Sequence, residues 1–434
     1  MKYQLRLLSW NVTAACNLRC PHCYLDAGQR SPDELSTEEG LRLIDQIAEA
    51  GAELLILTGG EPMMRKDLPV LARYAAQKGI MVVLGTTGTL IDREKARILK
   101  ESGVAAAGIS IDSVDPAKHD AFRGVAGAWQ RAVAGIDACR AEGLGVLIHT
   151  TALEMNYAEI PDLVRFAYQK EARAFQLFFL VCTGRGEQLT DLSPQKYESL
   201  LSFILDAQDS YPGMMVRARC APYITRLAQE RGSVLVWSAG CLAGTSYCRI
   251  TPNGEVTPCP YLPLQAGNLR RETFRQIWES SPVLQPFRPP QLRGKCSACG
   301  FAQGEDPLCI GCRARAFALT GDQFGADPWC SYEPQQAAPP SQQRVIWTPE
   351  ALDQIGHIPS FIRERVKQGV EAYVRRRGLS LVTREILVEF RARASAGMPP
   401  GEAHSKHSAQ DVPLRFEIEG DCCVIQRLPK SSSP

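Results

Sequence analysis

Three cysteines fall within eight residues near the start of the chain, in the run Cys16-Asn-Leu-Arg-Cys20-Pro-His-Cys23. Three close thiolates in one loop can hold three irons of a cubane cluster. Such clusters usually take four cysteines, so a compact set of three leaves one iron open to a ligand that is not protein. A zinc loop completed by His22 is the other chemistry open to this spacing. A second group lies far downstream, where Cys241, Cys248, Cys259, Cys296, Cys299, Cys309, Cys312 and Cys330 place eight cysteines in 90 residues. Eight thiolates suffice for two four-ligand sites, and on spacing alone two structural zincs are the default reading.

Three short motifs separate the two groups: Thr58-Gly59-Gly60-Glu61-Pro62, Gly108-Ile109-Ser110-Ile111-Asp112 and Phe122-Arg123-Gly124. Glycines let a backbone approach a ligand closely, and a carboxylate suits a ligand ammonium. Taken singly, the Gly-Gly is also an ordinary turn and Arg123 an ordinary surface arginine; it is their order along the chain that points to a common site. Of the remaining cysteines, Cys139 reads as core packing and Cys182 ends a strand at the expected mouth of the fold. Cys220, Cys422 and Cys423 lack any ligand spacing. His149 reads as a satisfied core histidine before a ligand.

The elements that must hold these residues follow from hydrophobic periodicity. Short apolar runs at Leu5 to Val12, Glu53 to Thr58, Ile80 to Gly85, Ala107 to Asp112, Gly145 to Ala152 and Phe175 to Val181 read as strands. Helical stretches alternate with them. The first carries a capping box at Ser36 and Glu39, apolar Leu41, Ile44 and Ile47, and a closing Gly51. Asp92 to Glu101, Ala128 to Glu142 and Ile160 to Glu171 are later helices of the same kind, and this repeat predicts an α/β fold built on a parallel sheet, either a partial barrel or an open doubly wound sheet. After Gly186 the rhythm breaks: a helix over Ser193 to Asp209 leads into the loop-rich cysteine region. The expected organisation is an α/β partial (β/α)6 barrel over 1–215, a loop-rich cysteine-binding domain over 216–333, a linker over 334–344, a small helical domain over 345–394 and a flexible tail over 395–434. Within that tail Leu414 to Ile425 has the pattern of a short hairpin.

Composition narrows the functional classes. The 434 residues are 45% hydrophobic and 22% charged, as in ordinary soluble proteins, and carry no apolar run long enough for a bilayer. A net charge of +2 gives no overall field for nucleic acid or anionic lipid. The chain starts without a secretory signal pattern, which predicts a cytoplasmic protein, and sixteen cysteines in a reducing compartment are for metal or redox chemistry rather than disulfides.

The spacing of three and then two residues in the first loop, followed by aromatic Tyr24, resembles the signature of the radical S-adenosylmethionine (SAM) superfamily. In that family SAM chelates the open iron of a [4Fe-4S] cluster held by the three cysteines. The resemblance implies that Cys16, Cys20 and Cys23 are the metal ligands, and that Gly59, Gly60, Glu61, Ser110 and Arg123 contact SAM. Thr86-Thr87-Gly88-Thr89 departs from the pattern, since relatives often carry Asn before the Gly-Thr. The downstream cysteines resemble the SPASM extension, which carries two auxiliary [4Fe-4S] clusters. By that resemblance Cys241, Cys248, Cys259 and Cys312 hold the first, and Cys296, Cys299, Cys309 and Cys330 the second. Nine residues between Cys299 and Cys309, and two between Cys309 and Cys312, depart from the common spacing.

The stretches Phe178 to Gly186 and Cys259-Pro260-Tyr261-Leu262-Pro263 resemble the heme-forming branch of the SPASM group. Trp347 to Arg393 is similar to the small C-terminal domain of light-independent protochlorophyllide reductase. Both imply a small-molecule tetrapyrrole substrate, modified by oxidative decarboxylation or removal of a side chain. A low-potential donor such as ferredoxin or flavodoxin is the expected electron source, and the charge and hydropathy above predict no nucleic acid or membrane partner. From Phe361 to Arg393 nine Lys or Arg face four Asp or Glu, a surplus that suits a carboxylate-rich ligand or a plain solvated face. Two rivals remain at this stage: a SPASM peptide maturase, and a metal-cluster scaffold or electron carrier with no activity of its own.

Overall fold

The structure is a computed structural model that describes residues 3–189, 192–208, 210–233, 235, 240–304, 307–334, 345–356, 358, 360–376, 379, 381–395, 414–419 and 422–427. Most of the linker expected at 334–344, and the tail expected at 395–434 apart from Ser395 and its hairpin, lie outside the described residues.

Seven parallel strands form the body: β1 (Leu7–Asn11), β2 (Leu54–Thr58), β3 (Met81–Thr86), β4 (Val104–Ser110), β5 (Gly145–Ala152), β6 (Ala174–Phe179) and β7 (Met215–Arg219). They lie side by side in chain order, so each crossover steps the same way, as in a barrel and not a doubly wound sheet with a reversal point. The barrel does not close. On the far side of β1 the sheet continues with parallel β8 (Tyr247–Ile250), then antiparallel β9 (Glu255–Thr257) and β10 (Gly267–Asn268). The six strands read from the sequence are all present, and β7 to β10 are additional.

The crossover helices are α1 (Thr37–Glu49), α2 (Leu68–Gln77), α3 (Arg93–Glu101), α4 (Pro116–Arg123), α5 (Ala128–Ala141), α6 (Ile160–Gln169) and α7 (Pro194–Ala207). The expected capping box forms at α1: Ser36 accepts from the Glu39 N–H, and the Glu39 carboxylate accepts from the Ser36 N–H at 2.8 Å. Strand alternation divides the side chains. Leu8, Trp10, Leu55, Leu57, Ile148 and Phe175 turn to the helices and form one continuous core, while Ser9, Ile56, His149, Gln176 and Arg217 turn to the opposite face.

Beyond the barrel come α8 (Ile224–Glu230), α9 (Phe274–Ser280) and α10 (Arg313–Thr320), with long loops between them. Further on, β11 (Ile346–Trp347) pairs in parallel with β12 (Leu381–Val382), beside α11 (Pro349–Gly356), α12 (Ser360–Arg376) and α13 (Arg384–Ser395). This small unit has its own core of Ala351, Val370, Val374 and Val382, and Trp347 Nε1 donates to Glu371 at 2.9 Å. The hairpin expected near the C-terminus is present as antiparallel β13 (Leu414–Glu419) and β14 (Cys422–Arg427). No helix among the described residues is long and apolar enough to cross a membrane.

Candidate functional site

The first cysteine loop leaves β1 at Asn11 and is tied down on every side. Cys16 N donates to Gly28 O and Gly28 N to Ala14 O, each at 3.0 Å, closing the loop on itself. Buried Glu34 accepts from Thr13 Oγ1 at 2.9 Å, Ala14 N at 2.8 Å and Arg30 Nε at 3.0 Å. Gly59 and Gly60, just after β2, press against the same loop. Gly60 N donates to Thr13 O at 2.8 Å and Glu61 N to Ala15 O at 2.7 Å, and a Cβ on Gly60 would stand 2.2 Å from the Ala15 carbonyl oxygen. These glycines therefore do more than turn the chain: they let two backbone segments touch.

Each of the three sulfurs receives one N–H. Leu18 N donates to Cys16 Sγ at 3.5 Å, Ala27 N to Cys23 Sγ at 3.4 Å, and Arg123 Nη1 to Cys20 Sγ at 3.6 Å. Arg123 is buried and is no surface arginine. Its Nε donates to Asp112 at 2.7 Å; burial is the strongest single influence on the Asp112 carboxyl and acts to raise its pKa, but Arg123 first, with His22, His119 and the Thr151 N–H, together outweigh it and hold the carboxyl below its usual range. Burial pushes the Cys16 thiol up to about 11, so the free loop carries a thiol there at neutral pH and only a bound cationic centre makes it a thiolate. Arg185, on the loop after β6, donates from Nε to Cys20 O at 3.1 Å and from Nη1 to Ala27 O at 2.9 Å. His22 stacks on Phe122 with ring centroids 4.6 Å apart.

Glu61 turns inward behind the wall. Its carboxylate accepts from Thr86 Oγ1 at 2.7 Å, Thr87 N at 2.8 Å and Thr87 Oγ1 at 2.7 Å. Thr87, the residue that departs from the family pattern, thus holds the glutamate from both its backbone and its hydroxyl. Ser110 ends β4 opposite His149 on β5. Gly108 makes room there, since a Cβ on it would meet the His149 ring at 2.2 Å. His149 is not the satisfied core histidine expected: its Nε2 has no hydrogen-bond partner among the described residues, and its ring forms part of a cavity wall.

That cavity, about 400 Å³, lies at the mouth of the open barrel. Cys16, Cys20, Cys23, Gly59, Gly60, Ser110 and Arg123 line it, and so do Cys241, Cys259 and Cys312 from the downstream group. Four arginines, Arg123, Arg185, Arg217 and Arg219, reach the same wall, and no Asp or Glu is among the described residues that line it. Sequence reasoning missed Arg217 and Arg219 because it missed β7, and passed over Arg185 although it lies in a quoted motif.

The eight downstream cysteines fall into separate places. Cys312 caps α10; its N–H donates to the buried Asp327 carboxylate at 2.7 Å, which also accepts from Arg315 Nη1 at 3.4 Å. Cys241 and Cys259 pack beside Cys312 in a small cluster with Leu262 and Phe287. Cys309 points elsewhere: burial raises its pKa, and Cys330 and Cys296 stand among its neighbours. Cys299 follows one short turn after Cys296, with its N–H donating to Cys296 O at 3.4 Å. Cys248 is fully buried on β8, in the main core opposite Leu8, and does not line the cavity. Cys139 is core packing, as expected. The fourteen cysteines from Cys16 to Cys330 are free, and no three His, Cys, Asp or Glu side chains among the described residues come within reach of a single metal ion. Thiols spread around open volume with N–H donors to sulfur fit a cluster several atoms across better than one ion.

A parallel sheet stepped in one direction, a three-cysteine loop at its mouth and further cysteines beside the same cavity define an iron–sulfur enzyme. The chain matches the radical SAM superfamily over residues 10–167, an iron-sulfur cluster-binding domain (SPASM) over 241–300, and the proto-chlorophyllide reductase 57 kD subunit over 347–391. It is 39% identical to the AdoMet-dependent heme synthase of Methanosarcina barkeri, over 76% of this chain and 97% of that one. It is 31% identical to the pre-heme d1 synthase of Dinoroseobacter shibae, over 74% and 85% of the two chains. The fold is similar to that of Streptococcus suis SuiB bound to S-adenosylmethionine, with a TM-score of 0.62, 18% identity and coverage of 76% and 78%. The chain belongs to the radical SAM superfamily, among its members with a SPASM extension. It is accordingly an enzyme that binds a [4Fe-4S] cluster and SAM, with auxiliary iron–sulfur clusters in its C-terminal part.

Proposed function

We propose that this enzyme oxidatively decarboxylates a carboxylate side chain of an iron-containing tetrapyrrole. The observation that carries the reading is the cavity wall, which combines apolar strand residues with four arginines and, among the described residues, no acidic side chain. A flat apolar ring bearing several carboxylates needs both features. The similarity to heme synthases and the match at 347–391 to a protochlorophyllide-related subunit support the same substrate class.

Cys16, Cys20 and Cys23 would hold the SAM-binding cluster; Gly59, Gly60, Glu61, Ser110 and Arg123 would shape the SAM site. Cys241, Cys259 and Cys312 belong to one auxiliary set, and Cys296, Cys299, Cys309 and Cys330 to the other. When bound, the first cluster and SAM supply a 5′-deoxyadenosyl radical able to take hydrogen from an unactivated carbon. The chain's own part is placement. Arg217 and Arg219 pair with substrate carboxylates from β7, His149 stays neutral beside them, and the apolar strand residues exclude water from the reacting carbon. Forming an alkene with loss of hydrogen and carbon dioxide also requires one electron to leave the substrate, and the auxiliary iron–sulfur cluster that Cys241, Cys259 and Cys312 would help hold in the same wall would accept it. A low-potential donor such as ferredoxin or flavodoxin would supply the starting electron, and a reducing cytoplasm would keep the thiols available.

The test is anaerobic turnover of the reconstituted enzyme with SAM, dithionite and iron-coproporphyrin, read by mass spectrometry. Loss of carbon dioxide from a propionate is expected. Arg217→Met and Arg219→Met should each raise KM about 10-fold or more, the worth of a charged hydrogen bond, while SAM cleavage persists. SAM cleavage with no change in any tetrapyrrole, and modification of a peptide instead, would overturn the reading.

A further inference from the structure

We propose that Cys220, not Cys248, completes the four-thiolate set of Cys241, Cys259 and Cys312 in the cavity wall. The inference rests on cluster binding by the SPASM region and not on the identity of the substrate.

The first observation is strand geometry. Successive side chains of a strand point to opposite faces. On β8, Tyr247 turns to the cavity side, where its hydroxyl meets Ser9 Oγ at 2.8 Å, so the next residue, Cys248, must turn to the helices. It does: Cys248 has no exposed surface, pairs in register with core residue Leu8, and belongs to the main hydrophobic core. To reach the other thiols it would have to cross its own sheet.

Cys220 stands where Cys248 does not. It directly follows β7, lines the cavity with Cys241, Cys259 and Cys312, and packs with those three in one cluster around Leu262 and Phe287. Cys220, Cys241 and Cys312 all stand near the buried Cys259. Arg315, held by buried Asp327, stands beside both Cys220 and Cys312, where a cation offsets the negative charge of a four-thiolate cluster.

The second observation is backbone strain. Arg217 and Arg219 already face the cavity, so plain alternation would send residue 220 outward. Cys220 instead has φ of 60°, one of three non-glycine residues among those described with a positive value. That conformation is unfavourable for a residue that carries a Cβ, and glycine would adopt it freely. The left-handed turn is what returns the sulfur to the cavity, and such strain persists where a site requires it.

The experiment isolates the auxiliary sites by replacing Cys16, Cys20 and Cys23 together with Ala, then adds Cys220→Ala, Cys220→Ser or Cys248→Ala. After anaerobic reconstitution, iron and sulfide are counted per folded chain in the monodisperse gel-filtration fraction, with EPR and Mössbauer spectra of each. Two clusters remain in the parent, so Cys220→Ala should lose about half of the iron, or keep a three-iron remnant with its own EPR signal. Cys220→Ser, nearly isosteric, guards against loss of folding and should shift the spectrum of one cluster. Cys248→Ala should keep full iron and unaltered spectra. Full iron with parental spectra in both Cys220 variants overturns the proposal, as does equal loss from Cys248→Ala.

Discussion

The two thiol regions that meet at the cavity are built in opposite ways. Cys16, Cys20 and Cys23 come from one loop of eight residues, fixed by the backbone of the neighbouring Gly59-Gly60 turn. Cys241, Cys259 and Cys312 come from three separate segments, gathered by packing around Leu262 and Phe287. Yet both carry a buried Arg and Asp pair directly behind the sulfurs. In the first, Arg123 is held by Asp112 and donates to Cys20 Sγ; in the second, Asp327 is held by Arg315 and accepts from the Cys312 N–H. A contiguous loop needs its pair to aim charge at a sulfur, whereas a dispersed set needs its pair to fix the backbone that brings the sulfur in.

The two regions should differ most at the ligands themselves. Cys20→Ala should lower 5′-deoxyadenosine formation more than about 10³-fold, as removal of an essential member of a catalytic unit does, while leaving auxiliary iron in place. Cys312→Ala should reverse the pattern, with auxiliary iron lost and uncoupled SAM cleavage retained. Parallel assays of deoxyadenosine and iron separate the two, and loss of both from either variant would show that the regions are one unit.

The paired carboxylates should separate the two regions next. Asp327→Asn leaves Arg315 buried without its charge partner and should destabilise the fold by about 3–5 kcal/mol, read as a lower denaturant midpoint. The Asp112→Asn cost should be similar in size, since that residue is equally buried, but its distinctive effect should be on the first cluster, because Arg123 would lose the partner that orients it toward Cys20. A changed reduction potential in Asp112→Asn, with none in Asp327→Asn at the same cluster, is the expected readout.

The contrast also explains what was legible in the sequence. A contiguous loop declares itself by spacing, and the strand and cap patterns of β1 to β6 are those of ordinary half-buried elements. The β7 strand escaped because its alternation is inverted in meaning: Arg217 and Arg219 face the cavity, and only small Val216 and Ala218 face the helices. Spacing likewise cannot tell which face of β8 a cysteine takes, nor that a positive φ brings Cys220 round to meet residues far along the chain. Asp112 was in a quoted motif, but its value lies in a contact with Arg123 that only the fold creates.

The smallest effect belongs to His149 in the cavity wall. Burial, then Arg217, Arg219 and Arg123 in that order, push the His149 pKa from its usual 6.5 down to about 3. A folded-state value below the unfolded one means the native protein holds His149 neutral while the unfolded chain takes up a proton. The stability this gives is therefore complete above about pH 6.5 and is lost as pH falls toward the folded value, at roughly 1.4 kcal/mol per pH unit. Between pH 7 and pH 5 the apo protein should lose about 2 kcal/mol through this residue, and His149→Gln should flatten that part of the profile, measured as denaturant midpoints. A carboxylate bound between Arg217 and Arg219 would raise the His149 pKa toward its usual value. Saturating the enzyme with a carboxylate-bearing tetrapyrrole should thus reduce the acid sensitivity of the native protein and leave that of His149→Gln unchanged.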